Sequence, residues 1–318
     1  MINRLSHYQQ LLTRSRDSQR ALVGVVQMCS TPNMDDNFKK NKKYIEECAS
    51  RGAKIVCLPE NFHCMTLTYA QGVNIAEKLD GDIIKRYKQI ALDNQIWLSL
   101  GGFQEQAQNL LKRYNTHLLI NEEGNIVQTY RKLHLFDVDL THRIPGATPI
   151  KEDRYIEPGD EIPDPIQTPI GYVCPSISND VRYPELYRRY VQRGAQVLLV
   201  SSAFLLKTGA SHWESLLRAR AIENQCYVVA ANQVGVHHEK RQSYGHSMVI
   251  DPWGDIIGQM SDKEGCFVCE IDLEYLDKVR GNMACITHMR GDVIYGGQAN
   301  NTINHDDGLQ DTDGHHIN

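Results

Sequence analysis

Three side chains of complementary chemistry follow predicted strands in this sequence. Glu60 ends an apolar run, Lys132 follows a predicted hairpin, and Ser178 ends a short strand. Strand ends are the usual place for site residues in α/β folds. A carboxylate that takes the nucleophile's proton, a nucleophile and an ammonium group that stabilises an oxyanion form a set for acyl transfer. On spacing alone, the commoner interpretation of Glu60 and Lys132 is as surface charges, so both hypotheses stand.

The stretch around Ser178 predicts a strand, a tight turn and a helix. The helix opens with Pro184 and Glu185, and these residue types suit a helix's first turn and the positive end of its dipole. Such a turn can present one side chain to a pocket surrounded by backbone N–H groups. Pro175 departs from this pattern, because a central strand has no room for a residue that lacks an N–H.

Composition places the chain among globular proteins. It has 318 residues, of which 41% are hydrophobic and 23% charged, enough for one large core in one domain or two. The net charge of −5, without basic runs, argues against a nucleic-acid partner. No apolar run approaches the roughly 20 residues of a membrane span, which predicts a soluble chain. Nine cysteines, scattered through strand-like runs, predict reduced core residues in the cytoplasm.

The sequence contains one short cysteine pair and one histidine pair. Cys266 and Cys269 form a CxxC, but no second pair or histidine follows at zinc spacing, which favours a structural role. His315 and His316 are too isolated to predict a metal site. We therefore expect no metal.

Both ends of the chain differ in composition from its middle. Residues 1–20 predict a flexible segment, although several arginines leave a mitochondrial presequence as an alternative location signal. Residues 296–318 are polar and rich in Asn and Asp, which predicts a disordered tail. We expect one folded domain over residues 21–295.

The hydrophobic pattern predicts mixed sheets covered by helices. Predicted strands cover residues 21–27, 55–58, 96–102, 114–120, 126–130, 172–177, 197–202, 226–231, 247–250, 256–257 and 266–271. Predicted helices cover residues 34–49, 80–94, 184–193 and 212–224, with a loop through Gly209. Residues 137–167 predict a long surface loop that shapes a site. We expect each sheet to pack against helices on one face and against the other sheet on its second face.

A repeated segment suggests two related halves. Residues 51–60 and residues 193–202 share a helix end, an Arg-Gly-Ala turn and an apolar strand. Such self-similarity predicts two copies of one unit that share a core.

Several motifs resemble those of one enzyme family. Leu58-Pro59-Glu60, residues 130–137 and residues 180–186 resemble the three signatures of the nitrilase superfamily of carbon–nitrogen hydrolases. Residues 212–214, 218–231 and 243–254 are similar to the Nit branch of that superfamily. The resemblance extends over about residues 21–295.

The resemblance implies a fold, an activity and a set of site residues. It implies an α/β fold, the α-β-β-α sandwich, and an amidase that releases ammonia from deaminated glutathione or a similar ω-amide, without metal or cofactor. Glu60 would be the general base, Lys132 the oxyanion stabiliser, and Glu152 a second glutamate that orients the site, although its loop holds about four extra residues. The partners implied are a small-molecule amide substrate and a second copy of the chain in a homodimer or larger homo-oligomer.

The nucleophile departs from the family pattern. Where the family has Cys-Tyr-Asp, this sequence has Ser178-Asn179-Asp180, so Ser178 occupies the cysteine's place. Cys174 is four residues upstream, about 13 Å away along a strand. Asn179 keeps a backbone N–H for the oxyanion, and Arg182 follows in the motif.

Three hypotheses follow from this departure. The chain is an amidase that uses Ser178, or a catalytically inactive protein that keeps the binding pocket, or a serine hydrolase with other substrates. A serine hydroxyl normally needs a stronger base than a carboxylate, such as a histidine. No histidine adjoins the motif in sequence, but His134 or His212 could approach Ser178 in space.

Overall fold

The structure, a computed structural model, describes residues 20–142 and 149–294. The predicted flexible segment, residues 1–20, lies outside the described residues except for Arg20, which begins the first strand. The predicted tail, residues 296–318, and Arg143, at the end of the extra residues of the loop, also lie outside them. No helix in these two ranges has the length and the apolar character needed to cross a membrane.

The first sheet has six strands in the order β16-β1-β2-β3-β4-β5. Its strands are β1 (Arg20–Gln27), β2 (Ile55–Leu58), β3 (Trp97–Gln106), β4 (Arg113–Ile120), β5 (Ile126–Arg131) and β16 (Gly265–Asp272). The helices near it are α1 (Met34–Ser50), α2 (Tyr69–Asn74) and α3 (Asp82–Asn94). Strands β1 to β3 run parallel, and the remaining pairs are antiparallel.

The second sheet also has six strands, in the order β15-β14-β11-β10-β9-β8. Its strands are β8 (Ile166–Thr168), β9 (Gly171–Ile177), β10 (Val197–Ser202), β11 (Tyr227–Asn232), β14 (Met248–Ile250) and β15 (Ile256–Gln259). The helices after it are α4 (Pro184–Gln192), α5 (Leu206–Asn224), α6 (Leu273–Asn282) and α7 (Gly291–Ile294). Two-stranded pairs are formed by β6 (Asp137–Val138) with β7 (Ile150–Lys151), and by β12 (Val234–His238) with β13 (Arg241–Tyr244).

The protein has four layers: helices, the first sheet, the second sheet and helices. Buried apolar side chains fill the three interfaces between these layers. One lies between α1, α3 and the first sheet and contains Ile45 and Tyr87. The middle interface lies between the two sheets and contains Val25 and Val229. The third lies between the second sheet and helices α4 and α5 and contains Trp213. The predicted α-β-β-α sandwich is therefore confirmed.

The two sheets have corresponding strand orders, as the sequence repeat predicts. In each sheet, a strand, a helix and a parallel strand follow one another, so β1-α1-β2 corresponds to β9-α4-β10. Gly52 (φ +89°) and Gly194 (φ +97°) occupy matching positions after the helices. These left-handed conformations favour glycine.

The structure differs from the predicted elements at helix α5. We predicted a loop through Gly209 and a helix from residue 212, but the helix begins at Leu206. A Cβ atom at residue 209 would lie 2.3 Å from Cγ of Tyr244. The glycine therefore serves close packing of a helix against a side chain rather than a chain break.

Pro175 also differs from expectation, because strand β9 contains it without interruption. Strand β8 pairs with β9 only as far as Val173, so no strand among the described residues pairs with that side of Pro175. The Tyr190 hydroxyl donates to the Pro175 carbonyl at 2.9 Å instead. At this position β9 behaves as an edge strand, where proline is tolerated.

Candidate active site

A bulge in the neighbouring strand makes room for Glu60 at the end of β2. The pairing of β3 with β4 shifts register between Leu100 and Phe103, and the Asn61 N–H donates to the Gly102 carbonyl at 3.2 Å. Gly102 has φ +70°, and a Cβ atom there would lie 2.6 Å from Cγ of Glu60. The sequence thus needs glycine at residue 102 for conformation and for space.

Lys132 lies between two carboxylates in the interior of the protein. Its Nζ is 2.9 Å from Oε2 of Glu152 and 3.4 Å from Oε1 of Glu60. Lys132 is 1% exposed and Glu60 is 3% exposed. Its backbone N–H donates to the carbonyl of Asn115 on β4 at 2.9 Å, which fixes the start of the side chain.

The charges of this cluster stabilise one another. Burial alone would lower the pKa of Lys132, but attraction by Glu152 and Glu60 outweighs burial and raises that pKa above its ordinary value. Burial would raise the pKa of Glu152, but Lys132 and the Phe136 N–H lower it. At neutral pH, Lys132 is therefore an ammonium group and Glu152 a carboxylate. A protonated lysine can stabilise an oxyanion but cannot act as a base or a nucleophile.

The loop after Lys132 brings Glu152 into the cluster despite its extra residues. Glu152 begins a short 3₁₀ turn, Glu152–Arg154, and its Oε2 accepts a hydrogen bond from the Phe136 N–H at 2.8 Å. Of the predicted site residues, the structure brings Glu60, Lys132 and Glu152 into direct contact.

Sequence reasoning missed Asn115 as a member of the cluster. The Asn115 Nδ2 donates to Oε1 of Glu60 at 2.8 Å, and Asn115 is 2% exposed. The signal available in the sequence is a polar residue within an otherwise apolar predicted strand. This hydrogen bond fixes Oε1 of Glu60, the same oxygen that lies 3.4 Å from Nζ of Lys132.

Ser178 lies at the turn between β9 and α4, as predicted. It begins the 3₁₀ segment Ser178–Arg182 and has φ +47°, a conformation that is uncommon for residues other than glycine. Backbone strain of this kind clusters at functional sites. The position resembles a nucleophile turn in which the side chain is presented at the end of a strand.

Asp180 anchors this turn from the interior. Its carboxylate accepts hydrogen bonds from the Ile177 N–H at 2.9 Å, the Tyr130 hydroxyl at 2.7 Å and the His134 N–H at 3.0 Å. Asp180 is 0% exposed. It therefore connects the strand that carries Ser178 to the segment that carries Lys132.

Two spaces in the protein share Glu60 and Glu152 in their linings. A small cavity of about 20 Å³ is lined by Glu60, Glu152 and Ser178, together with Asn179 and Arg182. This volume is enough for about one water molecule. A larger cleft of about 350 Å³ is also lined by Glu60 and Glu152, and this size is typical of ligand pockets. Both carboxylates therefore face both spaces.

The predicted supporting residues lie beside Ser178. The Asn179 Nδ2 donates to the Leu135 carbonyl at 2.9 Å, and the Arg182 Nε donates to Oδ1 of Asn179 at 3.0 Å. The Arg182 guanidinium group lies 5.1 Å from the ring centre of Phe204. These contacts fix the wall of the small cavity.

Neither candidate histidine lines the two spaces. His134 Nδ1 is 2.8 Å from Oδ1 of Asp180, and its ring stacks on Tyr183. His212 Nδ1 is 3.0 Å from Nη1 of Arg182. Among the described residues, no histidine belongs to the lining of the small cavity around Ser178.

Cys174, Cys266 and Cys269 lie outside the linings of the two spaces. Cys174 is 1% exposed within the apolar layer that faces α4 and α5, and burial raises the pKa of its thiol. Cys266 packs in the helix-facing layer of the first sheet, whereas Cys269 packs between the sheets. Because these two residues lie on opposite faces of β16, they cannot bind one metal ion together.

Comparison with known proteins places this architecture in one family. The profile of the carbon-nitrogen hydrolase family matches residues 22–281. The deaminated glutathione amidase of Mus musculus is 44% identical over 288 residues, which cover 90% of this chain and 88% of the mouse protein.

Two crystal structures share the fold. The NitFhit protein of C. elegans is 42% identical with a TM-score of 0.81, and the match covers 86% of this chain and 66% of that one. Saccharomyces cerevisiae Nit3, a member of branch 10 of the nitrilase superfamily, is 27% identical with a TM-score of 0.73, covering 83% of this chain and 94% of that one. This chain therefore belongs to the carbon–nitrogen hydrolase family of the nitrilase superfamily.

Proposed function

We propose that this chain is an amidase that hydrolyses the side-chain amide of deaminated glutathione or of a similar ω-amide. The observation that carries the proposal is the Lys132 ammonium group, buried between Glu60 and Glu152 beside a cavity onto which Glu60 and Ser178 both open. The identity to deaminated glutathione amidases supports the choice of substrate.

The first half of the reaction transfers the acyl group to the protein. Ser178 Oγ attacks the amide carbonyl carbon while Glu60 takes the hydroxyl proton. Lys132 donates a hydrogen bond to the oxyanion that forms. The C–N bond then breaks, Glu60 returns its proton to the leaving nitrogen, and the acyl group remains as an ester on Ser178.

The second half releases the acid. Water attacks the ester carbon while Glu60 takes one of its protons, and Lys132 again stabilises the oxyanion. The ester C–O bond breaks, and Ser178 Oγ regains a proton from Glu60. Asn115 positions Glu60 by donating a hydrogen bond to it. Glu152 positions Lys132 by accepting one from it.

The leaving group depends on the substrate. In glutathione, the nitrogen of the side-chain amide belongs to cysteine, so deaminated glutathione would release the amine cysteinylglycine. Ammonia, which we expected from the sequence, is the product only of a primary ω-amide. An assay must therefore measure both products.

Serine at this position slows the proposed chemistry. A cysteine thiol has a pKa of about 8.5, which a neighbouring cation lowers further. A serine hydroxyl is a much weaker acid and is normally activated by a histidine. We expect turnover with Ser178, but at a low rate, and the Ser178→Cys variant to be at least about tenfold faster.

The test compares three forms of the folded chain: wild type, Ser178→Cys and Ser178→Ala. Release of cysteinylglycine and ammonia is measured from deaminated glutathione and from a primary ω-amide. The proposal predicts activity in the order Cys above Ser above Ala. If no form hydrolyses either amide, the amidase function is wrong.

A second candidate function is a binding protein without turnover. It is favoured by the lining of the small cavity, to which no histidine among the described residues belongs. Under this hypothesis, Ser178→Cys is active while wild type and Ser178→Ala are equally inactive. A serine hydrolase with other substrates would instead show labelling of Ser178 by a fluorophosphonate probe.

Assembly and location are separate proposals. We propose a homodimer or larger homo-oligomer, which light scattering after size-exclusion chromatography tests. We propose a cytoplasmic location, with mitochondria as the alternative. Microscopy of the tagged chain with and without residues 1–20 distinguishes the two compartments.

A further inference from the structure

Arg113 is a buried cation at the wall of the large cleft, and two of its three guanidinium nitrogens lack a hydrogen-bond partner among the described residues. It is 3% exposed and belongs to the cleft lining. Among the described residues, none accepts a hydrogen bond from its Nε or Nη1. A buried charge that lacks such partners is unfavourable, and an exception of this kind calls for a specific explanation.

The surrounding backbone holds Arg113 in this position. At the start of β4, its N–H donates to the Tyr155 carbonyl at 2.9 Å and its carbonyl accepts from the Glu157 N–H at 2.9 Å. A Cβ atom at Gly72 would lie 2.8 Å from Nε of Arg113. Helix α2 therefore provides the space for the guanidinium group only because residue 72 has no side chain.

A neighbouring acceptor does not complete the missing hydrogen bonds. The Gln104 Oε1 lies 3.0 Å from the same Cβ position at residue 72, yet it has no partner either. The Gln104 Nε2 donates to Oδ1 of Asn61 and to the Cys64 carbonyl, which fixes the orientation of the amide. A ligand that enters the cleft can supply the acceptor.

The charge of the cleft predicts the sign of that ligand. Its two lining carboxylates, Glu60 and Glu152, both contact Lys132. Five cationic side chains line the same space: Arg113, Lys151, Arg154, Lys240 and Arg241. Such a lining attracts anions and raises their local concentration.

The position of Glu60 assigns a part of the substrate to this cleft. In the proposed amidase function, on which this inference rests, the acyl carbon becomes attached to Oγ of Ser178, which lines the small cavity. The leaving amine takes its proton from Glu60, which also lines the large cleft with Arg113. The leaving group therefore extends toward Arg113.

We propose that Arg113 binds a carboxylate on the leaving amine and so selects amides whose amine portion is anionic. The leaving amine of deaminated glutathione ends in the carboxylate of glycine and matches this requirement. A guanidinium–carboxylate hydrogen bond is charge-assisted and among the stronger ones in proteins. A primary amide, which releases ammonia, makes no such contact.

A kinetic experiment measures the selection directly. The ratio of kcat/KM for deaminated glutathione to kcat/KM for its analogue with a glycine carboxamide end is determined in the wild-type and Ser178→Cys backgrounds. Arg113→Met is expected to lower this ratio about ten- to hundredfold, and Arg113→Lys to lower it less. Lys112→Met removes a neighbouring cation that does not line the cleft and should leave the ratio unchanged. An unchanged ratio in Arg113→Met overturns the inference.

A binding experiment separates this inference from the amidase function. Calorimetry with cysteinylglycine and with its carboxamide uses the full chain and needs no turnover. Tighter binding of the carboxylate form, lost in Arg113→Met but not in Lys112→Met, supports the inference even if no form hydrolyses an amide. Equal binding of the two forms by the wild type overturns it, whatever the activity.

Discussion

The Nζ of Lys132 lies 2.9 Å from Oε2 of Glu152, and both side chains are buried in the protein. With Glu60 on its other side, the ammonium group is held between two carboxylates. The arrangement fixes the charges of Lys132 and Glu152 before any substrate arrives. Preorganisation of this kind is what an oxyanion-stabilising group requires.

Removal of the central cation should strongly destabilise the fold. Lys132→Met leaves two carboxylates buried without their partner, and breaking a buried ion pair in this way typically lowers the free energy of unfolding by about 3–5 kcal/mol. Urea denaturation monitored by circular dichroism measures the loss. The exposed pair of Lys278 and Glu274, at 3.0 Å, provides the control, since Lys278→Met should change stability by less than about 1 kcal/mol. Equal losses in the two variants would contradict the role of burial.

The backbone at Ser178 should prefer glycine. Both Ser178→Ala and Ser178→Gly remove the hydroxyl group, but only glycine adopts φ +47° without strain. We expect the glycine variant to be more stable than the alanine variant by about 1 kcal/mol. Thermal unfolding of the two variants tests this expectation, and an alanine variant of equal or greater stability would contradict it.

A side chain at residue 102 should disturb the site through Glu60. Residue 102 has a left-handed conformation, and Gly102→Ala places a methyl group against Cγ of Glu60. We expect the free energy of unfolding to fall by about 1–3 kcal/mol and kcat to be reduced. Gly281→Ala serves as the control, because a Cβ atom there meets nothing within 4 Å. Because residue 281 is helical, Gly281→Ala should raise the free energy of unfolding by up to about 1 kcal/mol. The prediction fails if Gly102→Ala matches the control in urea denaturation.

His117 should make the free energy of unfolding depend on pH. Its Nε2 lies 2.7 Å from Oγ of Ser99 and its Nδ1 lies 3.2 Å from the Ser176 carbonyl. Burial lowers its pKa to about 4. Below the unfolded value of about 6.5, the unfolded chain therefore binds a proton that the folded chain does not, and folding stability falls as the pH falls.

Between about pH 6.5 and pH 4, this residue should contribute a slope of about 1.4 kcal/mol per pH unit. His117→Gln should remove that slope, whereas substitution of the exposed His288 should retain it. Urea denaturation at several pH values measures the difference. A variant with the slope of the wild type would show that other groups cause the acid sensitivity.

The sequence by itself determined the layers and the three signature residues of the site. Periodicity predicted helix α1 and strands β1, β10 and β11 closely, because buried faces impose regular spacing on apolar residues. Glu60, Lys132 and Ser178 could be selected because strand ends and one turn carry recognisable residue types. The resemblance alone pointed to Glu152, and the folded loop brings its carboxylate to Lys132.

Only the tertiary structure decided which side chains meet. Asn115 and Arg113 belong to a strand whose pattern does not distinguish a site residue from a core polar residue, and their contacts come from β2, α2 and the loop at Tyr155. Local propensity predicts a loop at Gly209 and disfavours Pro175 in a central strand, because it ignores the neighbours that accommodate both residues. Packing between distant segments overrides local preference. The pairing of charges around Lys132 and the two unpartnered guanidinium nitrogens of Arg113 are therefore properties of the folded chain alone.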